Sequence, residues 1–182
     1  MNNEQENNLY IILSNSIIAT VLPSIAELNL PNWWLAGGAI RNTVWSHIFG
    51  AECQLIIKDF DIAFFDLQGN REQELSAKSI LTAQFPNHEF DVKNQASFGR
   101  WRAGATIYNS TEDGIKDWLH TATSVSVSMN RKGEWQFFTP YGLKDLFAGI
   151  IRPTPTHIND IRAKNKASEL MQKCSNLKLI SL

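Results

Sequence analysis

The stretch of sequence that decides the fold is Lys58-Asp59-Phe60-Asp61-Ile62. It lies within the Ile- and Phe-rich segment 54–66, which is typical of a long central β-strand. Side chains of a strand alternate between its two faces, so Asp59 and Asp61 share one face and the apolar residues beside them occupy the other. Two carboxylates on one face of an otherwise apolar strand repel each other and lose hydration, unless a cation lies between them.

These paired aspartates predict a divalent metal site. Carboxylate oxygens are hard ligands that suit Mg²⁺ or Mn²⁺, and such ions take one or two carboxylates and share the rest of their shell with water and phosphates. The alternative is an edge strand whose polar face meets water, with Lys58 as a charge partner of the aspartates.

A third acid strengthens the metal hypothesis. Asp91 lies on a second strand candidate at 88–93, which could run beside the first strand. Three carboxylates within reach of one or two divalent ions is the arrangement that two-metal phosphoryl transfer needs. Glu89 shares the face of Asp91, so alternation alone leaves open which of the two points at the metal.

A glycine pair, Gly37-Gly38, lies between a short strand at 33–36 and a helix that follows from Ala39. Glycine lets the backbone approach a phosphate closely, and the start of a helix offers free N–H groups to an anion. Arg41, one turn into that helix, could add a charge-assisted contact. The alternatives are a tight turn that needs glycine only for its backbone, and a solvated surface arginine.

The remaining pattern alternates helices and strands and then clusters strands, which favours an α/β (α+β) fold with a mixed sheet flanked by helices. We expect a single domain over residues 1–182, with its core at about 33–152. The other expected elements are helices at 9–28, 71–84, 110–119, 140–147 and 156–173, a strand at 103–108, and a β-hairpin from 123–129 and 135–139.

Composition limits the function classes. Lys plus Arg is 17 against 18 for Asp plus Glu, a formal net charge of -1, which argues against a protein that coats long nucleic acids. The N-terminus lacks the basic residues of a signal peptide, and the apolar stretch 9–22 is too short and too polar to span a bilayer, so we expect a cytoplasmic protein without a membrane partner. Cys53 and Cys174 are isolated and are expected to be reduced thiols, and the four histidines to be surface or packing residues.

Ala36-Gly37-Gly38 before a helix, Asp59-Phe60-Asp61 on a strand and Asp91 on a later strand resemble the nucleotidyltransferase superfamily of DNA polymerase β. Twenty residues separate Gly38 from Asp59, which is wider than in compact versions of that signature. More specific runs resemble a bacterial nucleotidyltransferase-like family long catalogued as a domain of unknown function. They are 37–45, 59–66, 92–96, Trp118 with 121–123, and 140–147.

This resemblance implies a polymerase β-type nucleotidyltransferase fold, an NTP donor and Mg²⁺ or Mn²⁺. It implies transfer of a nucleoside monophosphate to an acceptor hydroxyl with release of pyrophosphate; the acceptor, whether a small molecule, RNA or protein, is not implied. The alternative is a nucleotide-binding or regulatory module with the same fold and no catalysis. The catalytic and metal-binding candidates are Asp59, Asp61 and Asp91, and the nucleotide-binding candidates are Gly37, Gly38, Arg41, Lys93 and Asn94.

The sequence also departs from that family. After residues 94–96 the chain reads Ser97-Phe98-Gly99-Arg100, where family members often carry a basic residue and a histidine. The absence of a histidine at Gly99 puts any acceptor-binding or proton-transfer role there in doubt. The segment Arg100-Trp101-Arg102 could form a stacking and phosphate-contact surface, or Trp101 could simply pack beneath two exposed arginines.

Overall fold

The computed structural model describes residues 2–53, 55–97 and 106–180. Within these ranges, five strands form a mixed sheet in the order β3-β2-β1-β4-β5, and two more form a small parallel pair. The strands are β1 (Trp34–Ala36), β2 (Asp59–Phe64), β3 (Glu89–Asn94), β4 (Ser126–Met129), β5 (Trp135–Phe138), β6 (Ile150–Ile151) and β7 (Lys178–Leu179). A mixed sheet flanked by helices was the expected architecture, and it is confirmed.

The helices surround this sheet. They are α1 (Asn2–Ser14), α2 (Ile17–Glu27), α3 (Gly38–Phe49), α4 (Arg71–Gln84), α5 (Thr111–Lys116), α6 (Lys144–Phe147) and α7 (Ile161–Lys173). Helix α4 has the predicted bounds, and its first turn is fixed by Asn70, whose side chain accepts a hydrogen bond from the Gln73 N–H at 3.1 Å. It connects β2 to β3, which lie parallel and therefore need a crossover.

Strand pairing places β1, not β2, at the centre of the sheet. β1 is antiparallel to both β2 and β4, and β4 and β5 form the predicted hairpin. The predicted strand 54–66 is too long: β2 covers only Asp59–Phe64. The physical reason is the register, since pairing with β3 begins at Asp59 and pairing with β1 covers only 61–63.

The predicted N-terminal helix at 9–28 is also corrected, because the chain forms two helices there. Ser14 Oγ and Asn15 Nδ2 both donate to the Ile11 carbonyl, at 3.1 and 2.8 Å. Ser16 then caps α2 by accepting a hydrogen bond from the Ile18 N–H at 3.2 Å. Polar side chains that bond to nearby backbone end one helix and start the next.

Helices α1 and α2 bury their apolar residues in the core. Leu9, Leu13, Ile18, Leu22 and Ile25 are fully inaccessible to solvent. Among the described residues, no single helix has the length and apolar composition to cross a membrane. The pair α1 and α2 passes that test only when taken together, and it is bent by 91° at its break.

The apolar face of β2 and β3 forms the other part of the core. Phe60, Phe64 and Phe90 are buried, and the rings of Phe60 and Phe90 stack with 5.3 Å between their centroids. Trp45 of α3 is fully buried and donates from Nε1 to the Leu146 carbonyl at 2.7 Å, which ties α3 to α6. Burial of this face leaves the aspartate face of the same two strands for the site.

The expectation of two reduced thiols is wrong, because Cys53 and Cys174 form a disulfide. The two residues are 121 positions apart and also form an isolated antiparallel bridge between their backbones. Sequence spacing cannot reveal a pair of this kind, since only the tertiary fold brings the end of α7 beside the segment that leads to β2.

The C-terminal region is held in place by further contacts. The predicted helix 156–173 is divided, with a short 3-10 turn at Pro155–His157 before α7 at Ile161–Lys173. His120 Nε2 donates to the Ala163 carbonyl at 3.0 Å near the start of α7. After α7, the Lys178 N–H donates to the Gly149 carbonyl at 2.9 Å, so the chain returns to the small sheet.

Two expectations fall on residues outside the described ranges. They concern the segment Arg100-Trp101-Arg102 and the first half of the predicted strand at 103–108. The described residues 106–108 are not in a strand.

Candidate active site

The three aspartates lie on one face of the sheet, as strand alternation predicts. The parallel register pairs Asp59 with Glu89 and Asp61 with Asp91, so all four side chains leave the same face. Asp59, Asp61 and Asp91 line one cavity of about 700 Å³. Glu89 is exposed at the start of β3 and does not line that cavity. Of the two acids between which alternation could not choose, only Asp91 lines the cavity.

The electrostatics of this floor favour a bound cation. The pKa of Asp61 is raised to about 7, first by burial and then by the negative charges of Asp59 and Asp91, while the charges of Arg41 and Lys166 oppose the shift. Asp91 forms an ion pair with Lys93, with 3.1 Å between Lys93 Nζ and Asp91 Oδ1, and both side chains are about half exposed. A divalent ion beside Asp61 would offset both the burial and the repulsion that raise its pKa.

The donor set fits Mg²⁺ or Mn²⁺ held in an open site. In the part of the chain that the structure describes, no three His, Cys, Asp or Glu side chains are arranged to hold a metal ion between them. An Mg²⁺ site does not need such an enclosure, because the ion commonly takes one or two carboxylates and completes its shell with water and substrate phosphates. Asp59 and Asp61 offer hard oxygen ligands of that kind on one cavity floor.

The two glycines have different surroundings. Gly37 caps α3 with φ +79°, and a Cβ atom built on it would lie 2.0 Å from Cζ3 of Trp118. Both the backbone conformation and the packing of Trp118 therefore require glycine at position 37. Gly38 lines the cavity, and a Cβ there would meet nothing closer than Arg41 Nη2 at 3.8 Å.

The start of α3 has backbone N–H groups without an acceptor in the helix, and its first residue, Gly38, lines the cavity. The first hydrogen bond within the helix runs from the Arg41 N–H to the Gly37 carbonyl at 3.0 Å. The N–H groups of residues 38–40 precede it and have no acceptor within the helix. Such donors, together with the positive end of the helix dipole, favour an anion.

Arg41 is buried, which excludes the solvated surface arginine considered as an alternative. Its side chain is 5% exposed and donates to Asn42 Oδ1 at 3.1 and 2.9 Å and to Thr123 Oγ1 at 3.0 Å. The guanidinium also lies 5.5 Å from the centroid of the Trp45 ring. Within the described ranges, no carboxylate lies within 4.0 Å of its nitrogen atoms.

Burial lowers the pKa of Arg41 to about 10, although the charges of Asp61 and Asp59 oppose this shift. A buried guanidinium whose hydrogen-bond partners are all neutral is costly, because its charge has lost water without gaining a contacting carboxylate. Arg41 lines the cavity. An anionic ligand in the cavity would supply the missing partner.

Lys93 and Asn94 are neighbours in sequence with different positions. Lys93 lines the cavity beside Asp91. Asn94 lies on the opposite face, is 2% exposed and does not line the cavity. Its Nδ2 donates to the Asp66 carbonyl at 2.7 Å, and its Oδ1 accepts from the N–H groups of Asp66 and Ala96, both at 3.0 Å. The structure thus separates Asn94 from Gly38, Arg41 and Lys93, which line the cavity. The Asn94 amide instead bonds to backbone groups just after β2 and β3.

Two histidines that were expected to be surface or packing residues also line the cavity. His120 and His157 are 2% and 8% exposed. Burial lowers the pKa of His120 to about 4, so its ring is neutral at pH 7. Their sequence positions show no ligand spacing, so only the fold could reveal that they share a cavity.

One face of α7 was missed altogether by the sequence analysis. It lines the cavity through Arg162, Lys166, Glu169, Leu170 and Lys173. Intervals of three and four residues do mark one face of a helix, so this grouping could have been predicted. That this face lines the cavity could not be predicted from sequence, because it depends on how α7 is anchored in the tertiary structure.

Comparisons with known proteins agree with this fold. A family model described as a nucleotidyltransferase matches residues 23–179. Among curated proteins, none matches the sequence. An NMR structure said to reveal a CCA-adding enzyme head domain has a TM-score of 0.78 and 24% identity, over 96% of this chain and 94% of that one.

Two larger structures share the fold at lower identity. The Thermotoga maritima CCA-adding enzyme complexed with tRNA has a TM-score of 0.59 and 14% identity, over 98% of this chain and 42% of that one. A CCA-adding enzyme in complex with ATP has a TM-score of 0.59 and 15% identity, over 95% and 41%. The chain therefore spans less than half the length of these two enzymes.

Proposed function

We propose, because the chain belongs to the nucleotidyltransferase family, that it transfers a nucleoside monophosphate from an NTP to an acceptor hydroxyl and releases pyrophosphate. The observation that carries this proposal is that a group of carboxylates and a buried guanidinium line the same cavity. Asp59, Asp61 and Asp91 form its floor, and the buried Arg41 guanidinium lines the same space with no carboxylate of the described residues in contact. A triphosphate accompanied by cations complements both.

The donor would bind at the start of α3. Gly38 presents backbone to the cavity, the N–H groups of residues 38–40 have no acceptor within the helix, and Arg41 supplies a positive charge one turn later. Lys93 adds an exposed positive charge on the cavity floor. The CCA-adding enzyme solved in complex with ATP has the same fold, which supports an NTP as the donor.

Asp59 and Asp61, with Asp91 beside them, would hold one or two Mg²⁺ ions. A divalent ion bound there lowers the pKa of an acceptor hydroxyl and offsets charge on the transferred phosphate. Their shared face and the raised pKa of Asp61 are the structural support for this assignment.

Transfer would be an in-line displacement. The acceptor oxygen forms a bond to the α-phosphorus, and the bond from that phosphorus to the bridging oxygen breaks, so pyrophosphate leaves with the electron pair. Asp91 would accept the hydroxyl proton. Its Oδ1 pairs with Lys93, which leaves Oδ2 outside that ion pair for the proton.

The experiment is label transfer from NTPs carrying ³²P at the α-phosphate, with Mg²⁺ and a cell extract as the source of acceptors. Asp61→Asn should lower the labelling rate by roughly 100-fold or more, because it removes a carboxylate ligand of the cation that would stabilise charge at the reacting phosphate. Glu89→Gln is the matched control, since Glu89 leaves the same face of the sheet but does not line the cavity. It should stay within about twofold of the wild-type rate.

Full labelling by Asp61→Asn would contradict the catalytic assignment. Calorimetry with NTPs separates catalysis from binding alone: a protein that binds NTPs equally with and without Mg²⁺ and labels nothing would be a silent nucleotide-binding module.

A further inference from the structure

Three lysines and one glutamate line the cavity together, and we call them the lysine cluster: Lys58, Lys166 and Lys173 with Glu169. Lys166 Nζ donates to Glu169 Oε2 at 3.2 Å. This hydrogen bond and the charges of Lys166, Lys58 and Lys173 lower the pKa of Glu169. All four residues line the cavity. Three positive charges and one negative charge leave an excess of two.

The helix that carries most of the cluster is anchored at both ends. His120 Nε2 donates to the Ala163 carbonyl at 3.0 Å near the start of α7, and Cys174 at its end is bonded to Cys53. Lys166 and Lys173 are therefore carried on a helix that is held near both of its ends.

The cluster is distinct from the positive charges assigned to the NTP. Arg41 lies on α3 and donates to Asn42 and Thr123, and Lys93 lies on β3 and pairs with Asp91. Within the described ranges, no hydrogen bond or ion pair joins the cluster to Arg41 or Lys93. Lys166 and Asp61 nevertheless line the same cavity, and the charge of Lys166 lowers the pKa of Asp61.

Building on the proposed function, we propose that the lysine cluster binds a phosphate group on the acceptor, which is a small phosphorylated alcohol. The excess of two positive charges matches a phosphate monoester, which carries about −1.5 to −2 at pH 7. A cavity of about 700 Å³ lies within the range of small-molecule sites. A ligand held between Lys166 and the aspartates would place its hydroxyl on the side where transfer occurs.

The chemistry leaves the acceptor's own phosphate unchanged. A hydroxyl oxygen of the acceptor bonds to the α-phosphorus of the NTP, pyrophosphate departs with the bridging oxygen, and the hydroxyl proton is released to Asp91. The product is a phosphodiester that still carries the original phosphate monoester, which serves only to hold the acceptor at the lysine cluster.

The first test measures binding of inorganic phosphate to the full chain by calorimetry. The double variant Lys166→Gln/Lys173→Gln should weaken phosphate binding by about tenfold or more, because two charge-assisted contacts are lost. The control Lys164→Gln/Lys178→Gln removes two exposed lysines that do not line the cavity, and it should stay within about twofold. NTP affinity should also stay within about twofold in both variants.

Two results of this test overturn the proposal. One is equal phosphate affinity in the wild type and the Lys166→Gln/Lys173→Gln variant. The other is a loss of NTP affinity in that variant as large as its loss of phosphate affinity, since the lysines would then belong to the nucleotide.

The second test compares acceptor pools by label transfer from NTPs carrying ³²P at the α-phosphate. The pools are a small-molecule filtrate of a cell extract, the same filtrate treated with bead-bound phosphatase that is removed before the NTP is added, and the RNA fraction. Labelling of the untreated filtrate that is lost after phosphatase treatment supports the proposal. Labelling that survives phosphatase, or that appears only in RNA, overturns it.

Failure of the proposed function gives a different pattern. No pool is then labelled, while phosphate binding still depends on Lys166 and Lys173. That result supports the anion site and overturns the transfer reaction.

Discussion

Asp61 and Asp91 are register partners on adjacent parallel strands, and both side chains leave the sheet on the face that the cavity occupies. Parallel pairing aligns them without a turn between them, so their closeness depends on the crossover through α4. The same register places Asp59 two residues before Asp61 on that face. The negative charge of the site is therefore fixed by backbone pairing rather than by flexible side chains.

We predict that Asp61→Asn stabilises the metal-free protein at pH 8. The folded-state pKa of Asp61 is raised to about 7, so the native state binds more protons than the unfolded state between about pH 4 and 7. Wild-type stability is therefore lost as pH rises through this window, by at most about 1.4 kcal/mol per pH unit. Denaturant unfolding at pH 5 and pH 8 without divalent ions measures this. A variant less stable than wild type at pH 8 would refute the prediction.

We predict the opposite pH dependence for His120. Burial lowers its folded-state pKa to about 4, so the unfolded state binds more protons between about pH 4 and 6.5. Its contribution to stability is therefore present above pH 6.5 and is lost as pH falls toward 4. His120→Gln should remove this loss while keeping a donor for the Ala163 carbonyl. The free energies of unfolding at pH 4.5 and pH 7 should differ less in the variant than in the wild type. The same difference in both proteins would contradict the prediction.

The glycine pair gives a prediction with its own matched control. Gly37→Ala should lower the free energy of unfolding by about 2–4 kcal/mol, because its φ of +79° and the Trp118 ring at 2.0 Å both exclude a Cβ. Gly38→Ala should change it by less than about 1 kcal/mol, since its nearest neighbour lies at 3.8 Å. Thermal and urea unfolding test both, and equal destabilisation would contradict the difference between the two positions.

The same two variants separate packing from phosphate binding. Gly38→Ala should weaken NTP binding although the fold is intact, because an added methyl group occupies the cavity surface where the backbone would meet a phosphate. Unchanged NTP affinity in this folded variant would show that close backbone approach at position 38 is not needed.

Asn94→Ala should destabilise the protein without changing NTP affinity. The substitution leaves the Asp66 and Ala96 N–H groups and the Asp66 carbonyl without their side-chain partner at a buried position. Unsatisfied buried groups cost about 1–3 kcal/mol each, and partial relaxation makes about 2–4 kcal/mol a reasonable total. Calorimetry with an NTP under conditions where the variant is folded is the deciding measurement. A tenfold loss of affinity would restore Asn94 to the nucleotide site.

Much of the aspartate face could be predicted from sequence because a strand has a period of two. The shared face of Asp59 and Asp61 follows from that period alone, and the prediction for Asp91 required only that a second strand lie beside the first. The choice between Asp91 and Glu89 could not be made, because both have the same parity and differ only in their register partner. The predicted length of β2 was wrong for a related reason. β2 starts at Asp59 because pairing with neighbouring strands starts there, whereas local composition suggested an earlier start.

The other side of the site depends on contacts between distant residues. The burial of Arg41, the placement of His120 beside α7 and the approach of Lys166 to Asp61 all follow from packing between segments far apart in sequence. The break between α1 and α2 is different. The polar residues 14–16 mark this break in the sequence itself, but the apolar periodicity continues across them and predicts one helix.

The disulfide between Cys53 and Cys174 gives the chain a covalent topology that its linear order conceals. Residues 53–174 form a closed ring, and that ring contains all three aspartates and the lysines at 58, 166 and 173. Gly38 and Arg41 lie outside it, on the N-terminal arm. The proposed site therefore combines residues of the N-terminal arm with residues of the ring. A single backbone cut within the ring would leave both fragments joined, with the aspartates and α7 still part of one covalent molecule.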